Sequence, residues 1–106
     1  GKDAEPGRTG RRELAEGERH LAQFAGSRRG VEAYLEPATA VTATTVILIA
    51  ADGEWTRRRV DGPRAARALA NRLGIPLYDA AVVGYPKRMR EYNRRKAQER
   101  KDASGT

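Results

Sequence analysis

The side chains that could perform catalysis are few in this chain. His20 is the only histidine and there is no cysteine, whereas a zinc site uses several clustered His and Cys ligands. Ser27 lies in an Arg/Gly-rich turn and Ser104 near the C-terminal end, so neither occupies the strand-to-helix turn of a nucleophilic serine. No Walker or dinucleotide-binding glycine pattern is present. We therefore expect no cofactor, no metal and no enzymatic activity.

Three aspartates remain as possible ligands for a divalent metal ion. Asp52 fits the turn of a β-hairpin and Asp61 fits the start of a helix, so local structure accounts for both. Asp79 is left as a polar residue inside a predicted apolar strand. A buried carboxylate there needs a partner, and Tyr78, Tyr85 or an arginine is available. We favour structural pairing for Asp79, with a functional role as the alternative.

Positive charge is concentrated at the C-terminal end of the chain. The formal charge of the whole chain is +7. Residues 31–84 carry six basic and six acidic side chains, whereas residues 85–106 carry eight basic and three acidic ones. A positive field that is concentrated at one end is typical of a protein with an anionic partner.

The segment from Tyr85 to Lys101 is therefore the first candidate binding surface. Tyr85, Met89 and Tyr92 recur at helical spacing and predict a short apolar stripe that docks the first turns of a helix. From Asn93 onward no apolar face continues, so the rest is expected to project as a charged arm. The basic residues predicted to bind phosphates there are Lys87, Arg88, Arg90, Arg94, Arg95, Lys96, Arg100 and Lys101.

Nucleic acid is the partner that we expect first for this arm. An acidic protein surface and a solvated tail without a partner are the alternatives. Because few aromatic side chains interleave the cations, the pattern predicts binding without sequence preference. A membrane partner is not expected, because the apolar face is too short for a membrane-surface helix.

A β-hairpin supplies the second candidate surface. Asp52-Gly53 predicts a two-residue turn, which places Trp55 opposite Ala50. Trp55, Arg57 and Arg59 would then line a strip that stacks bases and holds phosphates. The alternative, which we prefer, is that the tryptophan packs in the core while the arginines lie over apolar surface.

The elements that position these residues follow the order α-β-β-β-α-β-α, which predicts a small two-layer α+β domain over residues 13–92. Residues 1–12 are predicted to be a disordered basic and polar tail, and residues 93–106 form the arm and a frayed end. The predicted elements are a helix between Glu13 and Ala25, weakened by Gly17, a strand at Val31–Glu36, the hairpin over residues 45–60, a helix at Pro63–Leu73, an interior strand at Leu77–Val83 and the C-terminal helix from Pro86.

Composition also bears on compartment and assembly. The longest wholly apolar run, Val46–Ala51, has six residues against the roughly 20 that cross a bilayer. Without cysteines the chain needs no oxidising compartment, so we expect a cytoplasmic location. Small cores often gain stability by pairing, and a homodimer through strand edges is possible. A protein-interaction domain that uses the hairpin or the strand edges is the alternative function.

Three segments carry a resemblance to a known family: RRGVEAYLEP, LIAADGEWTRRRV and GIPLYDAAVVGYPKRM. They resemble a family of short uncharacterised proteins from high-GC actinobacteria, and together they cover most of residues 28 to 90. The Arg/Ala-rich composition agrees. The resemblance implies a bacterial cytoplasmic origin and no mechanism, and catalytic residues do not carry over from it.

Overall fold

The computed structural model describes residues 10–105 of the chain. The predicted disordered tail lies largely outside the described residues, but its last two residues, Arg11 and Arg12, already belong to the first helix. The elements in chain order are α1 (Arg11–Ser27), β1 (Glu32–Glu36), β2 (Thr45–Ile49), β3 (Trp55–Arg59), α2 (Gly62–Leu73), β4 (Leu77–Asp79), α3 (Ala80–Val83) and α4 (Lys87–Ser104).

The four strands form one mixed sheet in the order β3-β2-β1-β4. β2 pairs antiparallel with both β1 and β3, and β4 pairs parallel with β1. A crossover through α2 is required because β4 runs parallel to β1. Helices and a mixed sheet in one domain confirm the predicted α+β class.

The main core lies between the sheet and the helices α1 and α2. Leu21 of α1 and Leu69 of α2 pack against Val46 and Leu48 of β2, and all four are at most 2% exposed. Gly17 takes part in this packing, because a Cβ atom there would lie 3.3 Å from the carbonyl oxygen of Arg59. Gly17, which we expected to weaken the helix, therefore allows the backbone of α1 to lie close to β3.

The first turns of α4 cover part of the opposite face of the sheet. Met89 is buried there against Tyr34 of β1 and against Ile47 and Ile49 of β2. Because side chains of a strand alternate between faces, the all-apolar run of β2 serves both sides of the sheet. This second, smaller cluster fixes the start of the cationic helix.

The predicted register of the hairpin is wrong by one residue. Trp55 pairs with Ile49 rather than with Ala50, because the turn spans Ala50 to Glu54 instead of two residues. The backbone amide of Ala50 donates to the carbonyl of Glu54 at 2.8 Å, and Asp52 Oδ1 accepts from the amide of Glu54 at 2.9 Å. The aspartate side chain thus stabilises a wider turn.

The predicted interior strand at Leu77–Val83 is also wrong. β4 ends at Asp79 and lies at an edge of the sheet, and α3 follows it directly. The reason is the side chain of Asp79, whose Oδ1 accepts a hydrogen bond from the amide of Ala81 at 2.8 Å and caps α3. Asp79 therefore caps α3, and it is not the buried carboxylate paired with a tyrosine or an arginine that we favoured.

Candidate functional site

The inward side of α4 is held on the sheet mainly by polar contacts around one buried methionine. Arg88 donates from Nε to the carbonyl of Ala50 at 2.9 Å and from Nη2 to Glu32 Oε1 at 2.7 Å. Its side chain is 28% exposed. The structure therefore places Arg88 against the sheet and away from the surface on which a partner would lie.

Two further predicted binding residues of α4 are engaged within the chain. Arg95 donates to the carbonyl of Asp52 at 2.9 Å, which ties the helix to the hairpin turn. Lys96 pairs with Glu99 one turn later at 3.2 Å. Both side chains reach solvent, but each already has an acceptor. Arg100 is exposed. At 3.6 residues per turn, it lies on a different side of α4 from Lys87, Arg90, Arg94 and Lys101.

The outward side of α4 carries a row of exposed cations. Lys87, Arg90, Arg94 and Lys101 fall within an arc of about 60° at 3.6 residues per turn, on the side away from Met89. The row spans about 21 Å at 1.5 Å per residue. We call these four residues the outer row.

The outer row is lightly engaged by other side chains. Lys87 is 78% exposed and lies 3.8 Å from Glu91, and Arg90 contacts the carbonyl of Tyr85 at 3.4 Å. Within residues 10–105, Arg94 and Lys101 form no salt bridge and no side-chain hydrogen bond. Exposed pairs of this kind are worth at most about 1 kcal/mol, so a phosphate can compete for these cations.

The hairpin residues Trp55, Arg57 and Arg59 alternate along β3, and the guanidinium of Arg57 lies 5.3 Å from the centroid of the Trp55 ring. Trp55 is half-buried beside the second core cluster, and its Nε1 donates to Asn93 Oδ1 at 2.7 Å. Arg57 is paired with Glu36 at 2.7 Å. Arg59 is exposed and lines an open groove of about 450 Å³ together with Arg58 and other residues. Trp55 therefore packs against the second core cluster, in line with the alternative that we preferred for this residue.

Two glutamates of β1, Glu32 and Glu36, form ion pairs on the face of the sheet beside α4. The hydrogen bond from Arg88 lowers the pKa of Glu32, and a hydrogen bond from Tyr34 adds to the effect. Burial tends to raise the pKa of Glu36, but hydrogen bonds from Arg57, Thr45 and Tyr85 together lower it. Both carboxylates are therefore held charged and fully partnered.

A cluster of three tyrosines, which sequence reasoning did not assemble, lies on the same face. Tyr34 is buried, and its ring centroid is 5.4 Å from that of Tyr78 and 6.2 Å from that of Tyr85. Burial, followed by the hydrogen bond to Glu32, raises the pKa of Tyr34 to about 12. The parallel pairing of β1 with β4 sets Tyr34 beside Tyr78, and this pairing leaves no local signal in the sequence.

His20 forms a hydrogen bond between two elements of the fold. Its Nε2 lies 2.6 Å from the hydroxyl oxygen of Thr56, which joins α1 to β3. Burial lowers the pKa of His20, and the nearby charges of Arg58 and Arg28 lower it further. Within residues 10–105, no group of three or more His, Asp and Glu side chains is placed to hold a metal ion.

Comparison of the chain with protein-family models, curated proteins and solved structures gives no match. In the described part of the chain, the helices are all too short or too polar to cross a bilayer. The functional assignment therefore rests on the residues of the site.

Proposed function

We propose that this chain is a non-catalytic module that binds nucleic acid without sequence preference, through phosphate contacts along the outer side of α4. The observation that carries the proposal is the outer row, in which Lys87, Arg90, Arg94 and Lys101 share one exposed side of a docked helix. A helix fixed at one end by Met89 presents these cations without a further ordering cost for its first turns.

Counterion release supplies the driving force for such binding. Each phosphate that a lysine or arginine neutralises frees condensed counterions, so affinity depends steeply on salt and little on base sequence. Four contacts correspond to a log–log salt slope of about −2.8 on a single strand and about −3.6 on B-form DNA. A bacterial cytoplasmic origin, drawn from the family resemblance, is part of the same proposal.

The test is a pair of charge-matched variants measured across a salt series. Arg90→Gln/Arg94→Gln removes two cations of the outer row, and Arg64→Gln/Arg67→Gln removes two exposed cations from α2 on the other side of the sheet. Fluorescence anisotropy with labelled short DNA and RNA reports affinity. The outer-row variant should flatten the single-strand slope by about 1.4 and weaken binding at low salt by roughly tenfold or more.

The α2 variant is the control for total charge, and it should retain most of the affinity. Equal losses for the two variants would show that net charge rather than the outer row drives binding, and the proposed site would be wrong. Absence of binding to any oligonucleotide at low salt would overturn the proposed function.

A second candidate function is a protein-interaction domain. Its supporting observation is the edge strand β4, which is followed by the exposed residues Val82 and Val83 at 79% and 57% exposure. Sheet edges and apolar patches are common sites of protein association. An acidic protein partner for α4 is a separate alternative, and binding of the chain to polyglutamate but not to nucleic acid in the same salt series would favour it.

A further inference from the structure

An exposed apolar surface lies directly before α4. Tyr78, Val82, Val83 and Tyr85 are 39%, 79%, 57% and 38% exposed, and together they occupy the short segment from β4 to the start of the helix. None of these side chains is charged. Exposed apolar surface of this kind often marks a binding site.

The two tyrosines are held in fixed positions. The hydroxyl of Tyr85 donates to Glu36, and the rings of Tyr78 and Tyr85 flank the buried ring of Tyr34. A ring that is already ordered loses little side-chain entropy when a ligand stacks on it. The surface is therefore preorganised for a flat apolar ligand.

The outer row begins beside this surface. Arg90 Nη1 lies 3.4 Å from the backbone carbonyl of Tyr85, and Lys87 is two residues after that tyrosine. The carboxylates beneath the surface do not repel an anion strongly, because Arg57 and Arg88 neutralise Glu36 and Glu32. The exposed tyrosines and the first cations of the outer row are thus neighbours at the start of α4.

We infer that the ligand of this combined surface is single-stranded nucleic acid, with a base stacked on Tyr78 and the following phosphates on the outer row. This inference rests on the proposed function and adds the strandedness of the ligand. Single-strand binders combine a cationic track with aromatic stacking platforms, and a stacked base needs no particular identity. The bases of a duplex are already stacked on one another and are not available to a tyrosine.

The test compares Tyr78→Leu with Tyr78→Phe in the full chain. Leucine removes the aromatic face, and phenylalanine keeps it. The ligands are a single strand, a duplex, and an abasic strand of the same length, which has the phosphates without the bases. Circular dichroism confirms that both variants are folded. Tyr78→Leu should weaken binding of the single strand by about fivefold or more, whereas Tyr78→Phe should bind like wild type.

Binding of the duplex and of the abasic strand should be the same for both variants and wild type. If Tyr78→Leu leaves single-strand binding unchanged while Arg90→Gln/Arg94→Gln weakens it, the stacking inference is wrong and the proposed function stands. If no nucleic acid binds wild type at low salt, both are wrong. Self-association that Tyr78→Leu abolishes, with single-strand binding unaffected, would assign the surface to a second copy of the chain and overturn the inference.

Discussion

Gly53 lies where the β2–β3 turn meets α4, and its lack of a side chain makes that contact possible. Its φ angle is +93°, a region that residues with a Cβ rarely adopt. A Cβ atom there would overlap the carbonyl oxygen of Arg88, and it would lie 2.8 Å from the Cβ atom of Tyr92. The docking of the cationic helix therefore depends on one glycine in a hairpin turn.

Substitution of Gly53 should be much more costly than substitution of another glycine with a similar backbone angle. Gly62 has φ +87°, and a Cβ atom added there would meet nothing within 4 Å beyond its chain neighbours and the backbone of its own helix, so Gly62→Ala measures mainly backbone strain. Gly53→Ala adds a clash with α4 and should lower the free energy of unfolding by about 3 kcal/mol, against about 1 kcal/mol for Gly62→Ala. Urea denaturation measures both values. Equal losses would show that α4 does not pack on the turn.

At the scale of elements, α4 is held on the sheet and its hairpin turn by one small apolar cluster, the Arg88–Glu32 ion pair and several hydrogen bonds. Met89 provides the buried apolar surface, and the Arg88–Glu32 pair at 2.7 Å provides the main polar contact. Such partly exposed pairs depend on the charge of the carboxylate. The docking of the helix should therefore respond to acid.

The sign of this response follows from the lowered pKa of Glu32. A carboxylate whose folded pKa lies below its unfolded value, ordinarily 4.5, stabilises the fold above that pH and loses this contribution as the pH falls through the folded pKa. Urea midpoints of wild type should decrease below about pH 5. Glu32→Gln should be less stable than wild type at pH 7, with a smaller decrease in acid.

Glu99→Gln is the matched control for this experiment. Glu99 pairs with Lys96 within α4, and among residues 10–105 neither side chain forms a hydrogen bond or an ion pair with a strand. Its pH profile should follow that of wild type. A Glu32→Gln profile identical to wild type would show that the Arg88 pair does not contribute to the acid response.

At the scale of the whole molecule, the last turns of α4 extend beyond the folded domain. Within residues 10–105, the side-chain contacts after Lys96 stay inside the helix, as between Gln98 and Asp102 and between Ser104 and Arg100. The longest dimension of the molecule is 49 Å, against 31 and 26 Å for the other two. The cations at this end are presented away from the core.

Removal of residues 97–106 should leave thermal stability nearly unchanged. The loss of one exposed pair predicts a shift of less than about 4 °C in the unfolding midpoint. Loss of Lys101 should make the single-strand salt slope shallower by about 0.7. A chain that ends at Pro86 loses Met89 and is the destabilised control. A large drop in the midpoint of the shorter truncation would mean that the arm packs on the domain.

Local signals predicted most of the fold but not its pairing. The Gly-Ile-Pro stop after α2, the alternation in β1 and the dense charge of α4 lie within short windows of sequence, so helix and strand positions follow from them. The one-residue error at Trp55 arose because the Asp52 side chain stabilises a wider turn than its sequence suggests. The early end of β4 arose because Asp79 caps α3 rather than continuing the strand.

The sequence by itself determined where the positive charge lies, since charge is counted along the chain. Only the tertiary structure decided which cations remain available. Arg88 and Arg95 turn toward backbone carbonyls of the hairpin, whereas Arg90 and Arg94 stay on the outer side. The division depends on which side of α4 meets the sheet. The spacing of Met89 and Tyr92 indicated the docking side, but the carbonyls that Arg88 and Arg95 meet there belong to a hairpin distant in sequence, so residue spacing along the arm could not identify them.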